Sequence, residues 1–535
     1  MFRRTFWIWV SLFVGGVCST DAQEKAPMEI SASTVRVMSY NIRYGTARDG
    51  ANAWDKRKDF LLATIQEHDV DLLGTQETLG FQRDFLAKGL PEFTTVGVGR
   101  EDGKEKGEMT AVFFRTARFE LLDSGHFWLS ETPEVAGSKS WDSSLPRMVT
   151  WVKLRDRSKL VTEPILFMNT HFDHIGKVAR KESSVLVRRK LLELGKDCRL
   201  ILTGDFNSAE NSEPYQALFS AQNDVTSPVQ DSYRIYQPKV LPNEGTSTST
   251  FEVKKSTGAR IDWIACSPTW EVRAAWIDRT HRNGSTPSDH FAVLAVLRPE
   301  QKAKTLRVLT YNIHHAEGTD KKLDLVRIAR IIRNADPDLV AVQEVDVVTQ
   351  RTLKVDQAAE LIRLTGLNGH FEKAIDFQGG AYGQMVLSRF PIKEAKVHLL
   401  PMQAKEEQRI AVETLLETTP PLRMVSTHWH HQGNDLRVIQ AKKLAELLAN
   451  VKEPIILAGD FNTTRKSEPL QGYDEGWSFA TDFAPLQKDP EADAAKMIDL
   501  ILYRPKDQWT VTDAKVILEP LASDHHPVLA VLQFK

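Results

Sequence analysis

The chain is written twice, and that constrains its fold more than any other feature. VRVMSYNIRYG at 35–45 returns as LRVLTYNIHHA at 306–316. VDLLGTQE, ending at Glu77, returns as PDLVAVQE, ending at Glu344. LFMNTHFDH, ILTGDFNS, RIDWI and SDHFAVLAVL return in order as RMVSTHWHH, ILAGDFNT, MIDLI and SDHHPVLAVL. The register is kept inside the blocks: Arg180 and Arg437 each lie nine positions after His171 and His428. Six ordered blocks exclude chance, and the period is far too long for a solenoid unit. Two tandem copies of one domain follow, spanning 34–299 and 305–535, joined through the polar stretch RPEQKAKT at 298–305.

Each copy alternates short β-branched runs with amphipathic stretches. VRVMSYNI and LRVLTYNI read as buried strands. KRKDFLLATIQEH at 56–68 and KKLDLVRIARIIRNA at 321–335 carry apolar residues at helical spacing and are expected to pack on a sheet. The class is therefore α/β. The first copy has an insertion, FWLSETPEVAGSKSWDSSLPR at 127–147, whose Pro, Gly and Ser content predicts an ordered loop at the rim of a site.

Ahead of the first copy, Arg3 and Arg4 precede the apolar run TFWIWVSLFVGGV, too short for a comfortable membrane span, and small and polar residues follow. Residues 1–23 read as a cleaved signal peptide, which makes the protein secreted or periplasmic. No later stretch is apolar enough to span a bilayer. After cleavage only Cys198 and Cys266 remain, in apolar strand-like contexts, and buried free thiols are expected, with a single bridge the alternative. The formal net charge of −2 supplies no basic field, which disfavours a grip on long nucleic acid.

The repeated words each end a strand with a polar residue: Asn41, Glu77, His171, Asp205 with Asn207, Asp262, and Asp289 with His290 in the first copy. In the second they are Asn312, Glu344, His428, Asp460 with Asn462, Asp499, and Asp524 with His525. Gathering several carboxylates in a small volume is unfavourable, because like charges and burial both oppose ionisation. A hard divalent cation removes the conflict, and oxygen donors with few carboxylates suit Mg²⁺ or Mn²⁺. Such a site points to hydrolysis of phosphate esters. Asp262 beside His290 would fix an imidazole's tautomer, Asp205 would deprotonate a water, Asn207 would donate to a phosphate oxygen, and His171 would donate to another or protonate the leaving group.

The ordered set YNI, QE, NTH, GDFN, ID and SDH resembles the endonuclease/exonuclease/phosphatase superfamily, twice and over essentially the whole mature chain. The resemblance implies a four-layer α/β sandwich in each copy: two mixed sheets face to face, with helices outside. It also implies that Glu77 and Glu344 are the principal ligands of one or two cations per domain. Asn41, Asp289, Asn312 and Asp524 would assist or hold a second ion. Asp205 and Asp460 would handle the water. His290 and His525, backed by Asp262 and Asp499, would contact the scissile phosphate, as would His171 and His428.

Arg147 and Arg409 each open a strand, and Arg180 and Arg437 follow the histidine blocks. They either grip phosphate or form scaffold ion pairs, and His174 and His431 share that ambiguity. EDGKEKGE at 101–108 reads as a solvated loop. The expected substrate is a phosphorylated small molecule or lipid headgroup. A secreted nuclease and a non-catalytic binder of phosphorylated ligands are the alternatives.

Overall fold

Alternation along single strands sets the layers. In the strand Val35–Asn41, Val35 and Val37 enter an apolar core between two sheets, while Met38 and Tyr40 lie on the opposite face under helices. The computed structural model describes residues 34–222, 225–255, 258–300 and 305–535. The expected signal peptide, residues 1–23, lies outside them, as does part of the joint at 298–305.

In the first copy, one six-stranded sheet runs Trp270–Asp278, Ala292–Pro299, Val35–Asn41, Leu72–Thr78, Met109–Arg115, Phe93–Val96. The other runs Phe119–Trp128, Met148–Asp156, Ile165–His171, Arg199–Asp205, Asp262–Cys266, Gln230–Asp231. Each is mixed, with one parallel pair at its centre: Val35–Asn41 beside Leu72–Thr78, and Ile165–His171 beside Arg199–Asp205. The second copy repeats this with two six-stranded sheets, whose central parallel pairs are Thr305–Asn312 with Leu339–Val347 and Leu422–His428 with Ile455–Asp460.

Helices cover the outer faces. Trp54–His68 packs Leu61 and Ile65 onto one sheet, and Lys177–Leu194 packs Leu186, Val187 and Leu191 onto the other. In the second copy Leu325–Ala335 applies Ile328 and Ile332 in the same way. Each copy is thus an α/β sandwich of four layers, as expected. The helix expected over 321–335 begins later, because the Asp324 side chain accepts the Arg327 amide at 2.8 Å and caps it there. The insertion is a loop that serves the neighbouring helix: the Asp142 carboxylate accepts the amides of Val178 (3.2 Å) and Ala179 (2.7 Å) at its start. The two cysteines among the described residues are free; Cys266 is buried but Cys198 is only partly so, because it lies in the turn leading into the strand Arg199–Asp205.

The two inter-sheet cores differ at one polar knot. In the first copy Asn169 is fully buried. Its Nδ2 donates to the carbonyls of Thr75 (2.8 Å) and Ala111 (2.9 Å), and its Oδ1 accepts from Gln76 (2.7 Å) and Thr203 (3.0 Å). Room for it comes from Gly74: a Cβ there would meet Thr203 Oγ1 at 2.2 Å and Asn169 Oδ1 at 2.6 Å. The second copy has Ala341, Ser426 and Ala458 at these positions, so a smaller side chain at the centre is matched by a methyl group beside it.

Asp71 anchors the far end of the first copy. It is 1% exposed, accepts the Arg36 amide at 2.8 Å, and faces Arg118 (3.0 Å) and Arg36 (3.3 Å). Burial pushes its carboxyl up, but Arg118, Arg36 and Arg115 outweigh that and hold it down to about 2. A depressed carboxylate stabilises the fold above its ordinary pKa and loses that contribution as pH falls. Thermal unfolding followed from pH 5 to pH 2 is therefore expected to show a loss of about 2 kcal/mol from this group. Asp71→Asn should remove that part of the slope, and should lower stability at neutral pH by about 3 kcal/mol through unpaired buried guanidinium groups.

Candidate active site

Strand direction explains why distant residues meet. Asn41, Glu77, His171 and Asp205 sit at the carboxyl ends of the two central parallel pairs. Asp262 opens an antiparallel strand in register with Asp205, and Asp289 and His290 immediately precede another. All therefore lie along one edge of the sandwich, where open α/β sheets place their ligands.

Glu77 arrives there by a local irregularity. Pairing with Met109–Arg115 shifts register between Thr75 and Thr78, and Glu77 takes a left-handed φ of 57°. Glu344 does the same, at φ 60°, where pairing shifts between Val342 and Val345. A bulge re-aims one side chain at the cost of backbone strain, and such strain persists where the surroundings over-determine it.

The geometry around Asp205 is compact. Its Oδ2 accepts Asn41 Nδ2 at 3.0 Å and faces His171 Nε2 at 3.5 Å and His290 Nε2 at 3.9 Å. Its Oδ1 accepts the Asn207 amide at 2.9 Å, made possible by a φ of 46° at Asn207, a conformation asparagine tolerates well. His290 Nδ1 lies 2.9 Å from Asp262 Oδ2. The second copy reproduces this: Asp460 Oδ2 lies 3.1 Å from Asn312 Nδ2, 3.4 Å from His428 Nε2 and 3.7 Å from His525 Nε2, while His525 Nδ1 lies 2.8 Å from Asp499 Oδ2. Asn462 again has a positive φ, 48°, and its amide donates to Asp460 Oδ1 at 2.8 Å.

Electrostatics divides the histidines. Burial, then the neighbouring Asp262, pushes the Asp205 carboxyl up to about 7; burial and Asp499 do the same to Asp460, also to about 7. Burial works against protonation of His290, but Asp262 and Asp205 overcome it and raise the imidazole well above its usual range. His525 is raised to about 10 against burial, by its bond to Asp499. His171 and His428 go the other way, lowered well below the usual range by burial and then by Arg147 and Arg409 respectively. Arginine only donates, so Arg409 Nη1, 2.9 Å from His428 Nδ1, fixes the tautomer with the proton on Nε2, facing Asp460.

Several of the expected site residues have specific partners. Asn41 and Asn312, expected to assist the cation, use both amide atoms within the site. Asn41 Oδ1 accepts the Arg43 amide at 3.0 Å and Asn312 Oδ1 the His314 amide at 3.1 Å. Their amide nitrogens bridge two carboxylates, Glu77 (3.1 Å) with Asp205, and Glu344 (3.0 Å) with Asp460. Arg180 and Arg437, candidates for phosphate, turn to backbone carbonyls: Arg180 to Asp173 at 3.1 Å, Arg437 to His430 at 3.3 Å and His431 at 3.2 Å. Arg147 is buried against His174, at 3.0 Å, and Asp173, at 3.5 Å. Arg409 is equally buried and lies 3.4 Å from His431, and it also lines the second copy's cavity. Asn207 Nδ2 donates to the Phe172 carbonyl at 3.1 Å and lies 3.1 Å from His171 Nε2.

That cavity, about 370 Å³, opens over the site, and Glu344, Asp460, Asn462, Asp524 and His525 line it. Arg351, Tyr382 and Glu407 join them from elements whose sequence carries no repeated motif. Arg100, buried beside Glu108, likewise escaped the sequence reading; only its matching charge with Glu108 across a short loop hinted at a pairing. The rest of 101–108 is largely exposed, as expected of a solvated loop.

The donor set suits a divalent cation. Glu77 and Asp289 share the edge, and burial followed by the Glu77 charge raises the Asp289 carboxyl, a conflict an oxygen-bound cation relieves.

Two mixed sheets face to face, with this polar cluster at one edge, form a four-layer α/β sandwich carrying a candidate hydrolase site in each copy. The model of the Endonuclease/Exonuclease/phosphatase family matches residues 38–290 and again 309–525, and the chain belongs to that family. Similar solved structures include a family member from Bacteroides thetaiotaomicron, 37% identical with a TM-score of 0.46, covering 50% of this chain and 98% of its own. One from Bacteroides vulgatus is 34% identical (TM-score 0.46; 50% and 99% covered). A mannosyl-6-phosphatase from Bacteroides thetaiotaomicron VPI-5482 is 38% identical (TM-score 0.44; 49% and 99% covered). No curated protein matches the chain. No helix among the described residues is long and apolar enough to cross a membrane.

Proposed function

We propose that the protein is a secreted or periplasmic hydrolase with two competent sites. Each would cleave a phosphate ester of a small molecule or lipid headgroup with Mg²⁺ or Mn²⁺. The observation that carries this reading is the same buried carboxylate, Asp205 or Asp460, with two histidine nitrogens between 3.4 Å and 3.9 Å away in both copies. Its carboxyl is poised near neutral pH, where a general base works best. In the first copy Asp205 takes the proton of an attacking water. His290, kept cationic by Asp262, faces the phosphoryl oxygens as negative charge develops, and His171 Nε2 lies 3.5 Å from the same Asp205 oxygen. In the second copy, Asp460, His525 with Asp499, and His428 take these parts, with the His428 Nε2 proton available to a phosphate oxygen. Asn207 and Asn462 hold the turn after each aspartate. Glu77 with Asp289, and Glu344 with Asp524, would hold the cation. When bound it supplies Lewis-acid stabilisation of the phosphoryl oxygens.

The volume of the second copy's open cavity, about 370 Å³, favours small substrates, since roughly 300–1,000 Å³ is the range of small-molecule pockets. Export rests on the composition of residues 1–23, and an exported protein whose amino terminus starts near residue 24 is the expected result of sequencing. The reaction class is tested with bis-nitrophenyl phosphate, nitrophenyl phosphate, single- and double-stranded DNA, and phospholipid, each with Mn²⁺ and with EDTA. Turnover of a small ester that EDTA stops is expected. Preference for DNA, with binding that weakens steeply with salt, would favour the nuclease reading instead.

A further inference from the structure

The two sites differ at one place that the shared chemistry does not explain. Asn41-Ile42-Arg43-Tyr44 in the first copy becomes Asn312-Ile313-His314-His315 in the second. We propose that the second copy carries a nitrogen-ligated divalent-cation site, formed by His314, His315 and Glu344, that the first copy lacks. The inference rests on the reading of Glu344 as a cation ligand and adds the two imidazoles to it.

Four observations support it. The ligand atoms of His314, His315 and Glu344 lie within 4.8 Å of one another. His314 Nδ1 is 3.0 Å from the Glu317 carbonyl, which can only accept. The proton is therefore on Nδ1, and the lone pair is on Nε2, the arrangement by which a backbone carbonyl orients a metal-binding histidine. His315 is 7% exposed, and its buried Nδ1 has no partner. That is an unfavourable state, which a bound cation's coordination sphere would relieve. Finally, His314, His315 and Ala316 take consecutive left-handed φ values of 45°, 43° and 61°, where the first copy has only Arg43, at 57°. Three such residues in a row, none of them glycine, form a strained turn that brings both rings beside Glu344.

The first copy shows what takes the place of this site. The Arg43 guanidinium pairs with Asp49 at 3.1 Å, lies 3.6 Å from Asp289 Oδ2, and covers the Tyr44 ring at 4.8 Å. A fixed positive charge stands there instead of a lone pair. In the second copy Asp524 has His314 Nδ1 at 4.0 Å, and His314, Glu344 and Asp524 all line the cavity. Two imidazoles with a carboxylate select Mn²⁺, Fe²⁺, Co²⁺ or Zn²⁺ over Mg²⁺ and Ca²⁺. The copies would then differ in metal requirement, the first satisfied by a hard cation and the second by a borderline one.

The test uses the full-length protein, stripped of metal and titrated with Mn²⁺ alone. Pulsed electron paramagnetic resonance of bound Mn²⁺ reads coupling to imidazole nitrogen directly in the unaltered protein. Nitrogen coupling is expected, and it should vanish in His314→Asn/His315→Asn, with Mn²⁺ affinity at the second copy lowered at least about tenfold. His315→Gln, folded by circular dichroism, is expected to weaken the coupling. Bound Mn²⁺ without nitrogen coupling in the unaltered protein would overturn the inference and leave the glutamate reading standing. Coupling that survives in the folded double variant would also overturn it. No bound Mn²⁺ in either copy would overturn both readings.

Discussion

The Asp205→Asn/Asp460→Asn double variant is expected to lose phosphoester hydrolysis by about 10²–10⁴-fold, the usual contribution of a positioned general base. Each substitution keeps the side chain's volume and removes the proton acceptor. Either single variant should retain the activity of the other copy. Loss of fold is a separate outcome and can be told apart by sign. A carboxyl whose folded pKa is raised contributes stability below its unfolded pKa and loses it as pH rises through the folded value. The metal-free wild-type protein should therefore lose stability between about pH 4 and pH 7 from Asp205 and Asp460. The double variant should lack that loss and melt no lower than wild type at pH 8. Inactivity together with an unchanged or raised melting temperature at pH 8 is the predicted pair of results. Full activity in a stable double variant would remove the aspartates from the chemistry.

Gly74→Ala is expected to destabilise the first copy by about 3–5 kcal/mol, a large effect for one methyl group. The added Cβ would fall on Thr203 and Asn169, and both are fixed by the bonds that satisfy a fully buried amide. Movement of Asn169 would leave the carbonyls of Thr75 and Ala111 without their donor, so overpacking and lost hydrogen bonds act together. The second copy shows how the clash is avoided, since Ala341, Ser426 and Ala458 stand at the corresponding positions. Gly74→Ala combined with Asn169→Ser and Thr203→Ala should recover most of the lost stability. Urea unfolding of the single and triple variants checks this. A single variant as stable as wild type would show that the sheets separate more easily than their packing implies.

What could be read from the sequence was what repeats. Strand ends written in both copies fixed the positions of Glu77, Asp205, Asp262 and His290, because a polar residue after a buried run has few places to go. The central strands were legible for the same reason, whereas two-residue edge strands such as Gln230–Asp231 and Ser478–Phe479 carry no alternation to detect. Asn41 and Asn312 could be placed at the site from the sequence, but spacing does not say which partner each amide atom meets. Arg180 and Arg437 keep their offset in both copies for a scaffold reason, holding carbonyls at the turn after the histidine strand. Arg351, Tyr382 and Glu407 were not foreseen, since cavity walls arise from tertiary packing of elements that differ between the copies. The His314–His315 pair was visible as letters, but its meaning depends on a left-handed turn that no local pattern announces.

The central claim is that each half independently assembles a cation-dependent site around its own glutamate. Glu77→Gln, Glu344→Gln and the double variant, assayed side by side on bis-nitrophenyl phosphate and nitrophenyl phosphate with saturating Mn²⁺, test it most directly. Each single variant is predicted to keep the turnover of the other half, and the double variant to lose at least about 10³-fold, as expected when the electrostatic support of the transition state is removed. A folded double variant retaining activity within about tenfold of wild type would contradict the account.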